Sequence, residues 1–127
     1  FEPANNTFSP YAEGVFLLCF VFPSNFPQVA PEVRFITRIV HCNINLSGRV
    51  CHSIFTRNWT SDTPMQRIFA VLYGLLLTPD INESLNVALS LDNHRADGSY
   101  EARILEHVRR YANKSRETWR DEILRKL

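Results

Sequence analysis

The first third of the chain is written in short apolar runs broken by prolines, and the second half in apolar residues at helical spacing. Residues 1–13 carry Pro3, Asn5, Asn6, Ser9 and Pro10, which is turn and loop chemistry. Val15 to Phe22 (VFLLCFVF) is rich in β-branched and aromatic residues and bounded by Gly14 and Pro23, so it predicts a buried strand. Phe26 to Pro31 (FPQVAP) predicts a stiff loop, because each proline fixes its own φ and pushes its predecessor out of the helical region. Glu32 to Ile36 (EVRFI) alternates polar and apolar and predicts a second strand, with Arg38 to Val40 as an extension.

Thr63-Pro64 signals a helix start, Thr as the cap and Pro at the first helical position. Met65, Ile68, Phe69, Leu72, Leu75 and Leu76 follow at helical spacing and read as a core-packing stripe that ends near Thr78-Pro79. Asn82 or Ser84 is the expected cap of a shorter helix with Leu85, Leu89 and Leu91 on its inner side. Asp97-Gly98 breaks it. From Ser99 a long helix is expected, with Tyr100, Ile104, His107, Val108 and Tyr111 and then Trp119, Ile123, Leu124 and Leu127 on its apolar face. Unbroken to Lys126 it would span roughly 40 Å at about 1.5 Å per residue, longer than a domain this small needs, so its last turns would project or cover another surface. Strands first and helices after is an α+β pattern, an antiparallel sheet with helices on one face or end.

Composition narrows the class. A chain of 127 residues fits one domain, residues 1–127, and can bury about two-thirds of the surface its unfolded form exposes. Hydrophobic content of 45% and charged content of 21% are ordinary for a globular protein, and a net charge of +1 makes no electrostatic case for nucleic acid or an anionic membrane. No apolar run approaches the roughly 18 residues of a membrane-spanning helix. Three cysteines without a regular framework, Cys19, Cys42 and Cys51, point to reduced thiols in a cytosolic or nuclear setting. A chain that begins with Phe1 rather than Met is expected to be processed or part of a longer polypeptide.

The candidate chemistry is concentrated in His41 to Trp59 (HCNINLSGRVCHSIFTRNW), between the strands and the helices. A His-x-Asn-x-Asn turn leads through Ser47-Gly48 to Cys51. The reading is a nucleophilic Cys51 with Asn43 as its polar companion, an amide donor for an oxyanion formed on acylation. Each has a bland alternative: Cys51 as a small buried hydrophobe, Asn43 as a turn residue bonded to its own backbone. Arg49 or His52 would favour the thiolate if close, although sequence neighbours in extended chain point to opposite faces. Zinc on His41, Cys42, Cys51 and His52 is opposed by the spacing, since adjacent pairs on extended chain cannot both turn two ligands inward. A cysteine protease with His41 or His94 as base has no matching local motif.

At this point the sequence resembles the ubiquitin-conjugating enzyme family, in order and without gaps from about residue 10 to 112. Pro10-Tyr11-Ala12-Glu13-Gly14-Val15-Phe16 is similar to the family's Pro-Tyr-x-x-Gly-x-Phe, and Phe22-Pro23-x-x-Phe26-Pro27 with Pro31 to its proline-rich segment. His41-Cys42-Asn43-Ile44-Asn45 is similar to His-Pro-Asn-Ile-Asn, and Gly48-Arg49-Val50-Cys51 falls on the active-site Gly-x-x-Cys. Trp59, Leu75-Leu76, Pro79, Leu85-Asn86 and Tyr111-Ala112 complete the series, and 113–127 would be a helical extension.

The resemblance implies a meander sheet with helices on one face. It also implies that Cys51 carries ubiquitin or a similar modifier as a thioester and passes it to a lysine or to a ligase. Asn43 would stabilise the oxyanion or brace the loop, and Glu83 would serve as an acid near the site. The implied partners are the modifier, its activating enzyme and a ligase. No cofactor or metal is implied, and ATP is consumed upstream. The implied location is cytoplasm or nucleus.

Departures from the pattern support a second reading, a weak or inactive domain that binds ubiquitin or partners. His52-Ser53 replaces Leu-Asp, Cys42 replaces a proline, and Pro27–Pro31 and Trp59-Thr60-Ser61-Asp62 lack the usual ligase anchors. The family's N-terminal helix and first strand are not recognisable, as expected of a fragment or a shortened variant.

Overall fold

The computed structural model describes residues 9–86, 89 and 97–127. It is an α+β arrangement of two strands, three helices and two short 3-10 turns among those residues. Strand β1 (Leu18–Val21) pairs antiparallel with β2 (Glu32–Phe35), Leu18 opposite Phe35 and Val21 opposite Glu32. The meander continues in a short hairpin. Phe35 N–H donates to Gly48 O at 2.8 Å and Val50 N–H to Val33 O at 2.9 Å, which lays residues 48–50 beside β2. Gly48 has φ +91°, and a Cβ there would sit 2.1 Å from the Phe35 carbonyl oxygen, so the close approach requires glycine.

Helix α1 (Met65–Leu77) buries Ile68, Leu72, Leu75 and Leu76, and α2 (Ser99–Tyr111) buries Tyr100, Ile104 and Val108. These join Val33 and Phe35 of β2, with Phe16 and Tyr11, in one core. Each fully buried aliphatic side chain contributes about 2 kcal/mol at the usual area rate.

Several elements differ from the sequence expectation. The Val15–Phe22 run forms a strand only at Leu18–Val21 and is not buried on both faces: Phe16 is 1% exposed, but Val21 and Phe22 are 48% and 49% exposed. Along β2 only Val33 and Phe35, on one face of the strand, are buried. Arg38–Val40 does not extend β2, because the chain turns where the Ile36 and Thr37 amides both donate to Leu17 O. Thr63 does not cap α1; Pro64 is the cap residue, and Thr63 Oγ1 accepts from Thr60 N–H instead. Phe69 is 43% exposed and packs on Phe20.

Neither Asn82 nor Ser84 starts the next helix. Asp80 caps a 3-10 turn at Ile81–Glu83, with Ser84 at its far end, and Asn86 Oδ1 accepts from Leu89 N–H at 3.0 Å. Leu91 and His94 lie outside the described residues.

The long C-terminal helix is two helices. α2 ends at Tyr111, and α3 spans Arg116–Lys126 with Ser115 as its cap, its Oγ accepting from Thr118 N–H. The break has a tertiary cause. Ala112 is buried, and its carbonyl accepts from Val15 N–H at 3.1 Å. Trp119 Nε1–H then donates to Val15 O at 3.1 Å, so α3 lies against the approach to β1.

Candidate active site

The central stretch folds as a hairpin. Ile44 bridges Val50, and Asn45 N–H donates to Arg49 O. Asn45 organises the tip: its Oδ1 accepts from Ser47 N–H, Ser47 Oγ–H and Arg49 N–H, at 3.0, 2.8 and 2.9 Å. Cys51 ends the second arm, its N–H donating to Asn43 O at 2.8 Å. The thiol is partly exposed and opens on a cleft of about 510 Å³, which His52, Ser53, Thr56, Arg49 and Glu83 also line.

Asn43 is fully buried. Its Oδ1 accepts from Asp80 N–H at 2.9 Å, and its Nδ2 donates to Asp80 O at 2.8 Å and Glu83 O at 3.4 Å. The side chain thus clamps the 80–83 turn to the hairpin, and through its own carbonyl to Cys51.

His41 makes the other buried anchor. Its Nδ1 accepts from Asn43 N–H at 2.9 Å, which leaves Nε2 as the donor to Leu75 O at 2.7 Å. Burial drives its pKa down to about 4, only partly offset by the Leu75 carbonyl. Both ring nitrogens are engaged, so His41 has no lone pair free for a metal or for base catalysis. Cys42 is wholly buried in the core, which answers the question of a second thiol beside Cys51.

Three groups near Cys51 are differently placed from what sequence adjacency suggests. The Arg49 guanidinium turns to Glu32, Nε to Oε1 at 3.5 Å, and Glu32 also pairs with Arg34 at 2.7 Å. His52 caps the 3-10 turn Ser53–Phe55, its Nδ1 accepting from Ile54 N–H at 3.0 Å. Ser53 Oγ accepts from Asn58 Nδ2 at 2.9 Å. Glu83 reaches the cleft and is ion-paired with Arg57 Nη2. Outside the cleft lining, Trp59 Nε1–H donates to Pro27 O at 2.9 Å and its ring packs on Phe26, which fixes the proline loop against the segment after Cys51.

Cys51 is thus a partly open cysteine at the end of a hairpin with a polar clamp behind it, and the comparison with known proteins decides the family. The family model for ubiquitin-conjugating enzymes matches residues 4–108. The chain belongs to the ubiquitin-conjugating enzyme family.

Three relatives illustrate the range. The chain is 45% identical over 115 residues, 91% of its length, to a protein of Acanthamoeba polyphaga mimivirus named as a probable bifunctional E2/E3 enzyme. It is 32% identical over 109 residues, 86% of its length, to a ubiquitin-conjugating enzyme of Saccharomyces cerevisiae, and 33% identical over 78 residues, 61% of its length, to one of Dictyostelium discoideum. The chain spans 9%, 71% and 36% of these proteins respectively.

The site also holds residues that motif reading did not single out. Asp80 supplies two of the three backbone partners of the Asn43 side chain, Asn45 holds the hairpin tip, and Arg57 holds Glu83. Only Asn45 had a local signal, as the second Asn of His-x-Asn-x-Asn followed by Ser-Gly. Asp80 and Arg57 reach the site through tertiary contact 37 and 26 residues away in sequence. Among the described residues no cluster of three metal-ligating side chains occurs, and no helix is long and apolar enough to cross a membrane.

Proposed function

We propose that the chain is a ubiquitin-conjugating domain that carries ubiquitin, or a similar modifier, as a thioester on Cys51. The activating enzyme would present the modifier's C-terminal carbonyl to the Cys51 thiolate. An amine, the side chain of a lysine, then attacks the thioester carbon: the C–N bond forms, the C–S bond breaks, and Cys51 leaves as thiolate. The nitrogen's surplus proton returns to the thiolate through solvent. ATP is consumed by the activating enzyme, and this chain needs no cofactor of its own.

The observation that carries the reading is the position of Cys51, partly exposed at a cleft and tied to Asn43 by a 2.8 Å hydrogen bond. Asn43 acts here as a brace. Its amide is already bonded to Asp80, so an oxyanion role requires that clamp to open. Glu83, held by Arg57 at the cleft, accepts a hydrogen bond from the incoming amine. The loops at Pro27–Pro31 and Trp59–Asp62 lack the ligase anchors, and the mimivirus relative carries a bifunctional name. Both favour direct transfer to lysine. Transfer takes place in the cytoplasm or nucleus, where the thiols stay reduced.

The test is charging with activating enzyme, ATP and ubiquitin, followed on a non-reducing gel. A thiol-sensitive adduct is expected, absent in Cys51→Ala and converted to a thiol-resistant ester in Cys51→Ser. No adduct with the full-length protein rejects the proposal.

A further inference from the structure

The thioester chemistry proposed for Cys51 requires a donor for the oxygen that becomes negative when the carbonyl is attacked. Asn43 does not offer one at rest: it is fully buried, and both ends of its amide are bonded to Asp80. The Cys51 amide is bonded to Asn43 O, so it too is engaged. The Arg49 guanidinium is turned to Glu32 and the Arg57 guanidinium to Glu83.

His52 remains. It lines the same cleft as Cys51. Its backbone is extended, φ −154° and ψ 150°, and its Nδ1 accepts from Ile54 N–H at 3.0 Å. An imidazole nitrogen that accepts a backbone N–H carries a lone pair, so the ring's proton must be on Nε2. The cap therefore fixes both the tautomer and the ring: His52 is locked as an Nε2–H donor, and Nε2 has no hydrogen-bond partner among the described residues. An N-cap made with histidine where an Asp, Ser or Asn would cap as well leaves a donor that none of those residues would present.

We infer that His52 is a catalytic residue of this domain, its Nε2–H donating to the thioester carbonyl oxygen as that oxygen becomes an oxyanion. No proton is transferred. As the amine nitrogen bonds to the carbonyl carbon, the C=O electron pair moves to oxygen and is held by Nε2–H, then returns as the C–S bond breaks. The substitution of His-Ser for Leu-Asp after the cysteine thus supplies a donor, and the inference rests on the thioester reading above.

The two ring nitrogens have separate mimics, which makes the inference testable. In His52→Asn the amide oxygen reaches the Nδ1 position and keeps the cap, but nothing reaches the Nε2 position. In His52→Gln the amide nitrogen reaches the Nε2 position and the cap is lost. Full-length protein is charged to completion with ubiquitin, and single-turnover discharge to free lysine is timed beside a thermal melt. Removing one oxyanion donor in a closed site costs about 100- to 1,000-fold, and the open cleft reduces this to about tenfold. H52N is expected to keep its Tm and discharge at least about tenfold more slowly. H52Q is expected to lose Tm and discharge within about threefold of the native rate.

H52N discharging at the native rate overturns the inference, as does a stably folded H52Q as slow as H52A. If H52Q does not fold, H52N decides alone. Native protein that fails to charge rejects the thioester reading, and this inference with it. Native charging with an unimpaired H52N rejects only the role of His52.

Discussion

The chain places a histidine beside a cysteine twice, as His41-Cys42 and as Cys51-His52, and the fold treats the two pairs in opposite ways. The first pair precedes the hairpin and is swallowed by the core. Both nitrogens of His41 are bonded and Cys42 has no exposed surface. The second pair follows the hairpin and opens on the cleft, with one imidazole nitrogen bonded and the thiol in reach of solvent. Asn43 couples them: its N–H donates to His41 Nδ1 and its carbonyl accepts from Cys51 N–H. The same side chains are structural where every lone pair and proton has a protein partner, and chemical where one is left over.

The largest expected effect separates the cysteines. Cys51→Ala should abolish the thiol-sensitive ubiquitin adduct, while Cys42→Ala retains it. Under native conditions alkylation should reach Cys51 and the exposed Cys19, while Cys42 reacts only through unfolding, slower by about a thousandfold or more. Mass mapping of the alkylated peptides distinguishes the three. Comparable rates for Cys42 and Cys51 would erase the contrast.

The histidines differ next, in their response to acid. His41 titrates near 4 in the fold and near 6.5 unfolded. Between those values the unfolded chain binds a proton that the native state refuses. Its contribution is therefore complete above pH 6.5 and is lost as pH falls toward 4, by about 3 kcal/mol in all. Denaturant melts of the native protein and of His41→Gln should converge over that window as the native advantage fades.

Asn43→Ala should cost about 2 kcal/mol, because it strands the Asp80 N–H and carbonyl. It should also slow charging by loosening the 80–83 turn. Stability unchanged in a chemical melt would mean that the clamp is dispensable. The smallest effect is at Arg57. Its ion pair with Glu83 leaves the guanidinium 72% exposed, so Arg57→Ala should cost less than about 1 kcal/mol. Its signature is instead a higher KM for lysine acceptors if the pair orients Glu83.

The sequence made the two strands, α1 and the position of Cys51 legible because each rests on a local pattern: proline-bounded apolar runs, a helical stripe, an ordered series of motifs. It left four things unreadable. Burial of the Val15–Phe22 run was overestimated, since apolarity does not say how many faces a sheet has covered. The division of the long helix was written in Asn113-Lys114-Ser115, with Ser115 a standard cap. The apolar stripe continued across it, and only the Val15 bond to Ala112 decides the break. The partners of the site, Asp80 and Arg57, arrive by tertiary contact. His52 was read as a loss because its neighbour in the motif was absent. Its value as a cap depends on Ile54 N–H, a geometry that no residue pattern states.

The paired bonds at Val15 have a mechanical consequence. Its N–H is held by Ala112 and its carbonyl by Trp119, so one residue near the start of the described chain is pinned by both sides of the α2–α3 corner. Tension applied to the two ends would not pass along the helices or unzip the sheet strand by strand. It would load these two bonds together with the Tyr11 bond to Val40 and the Glu13–Arg109 ion pair.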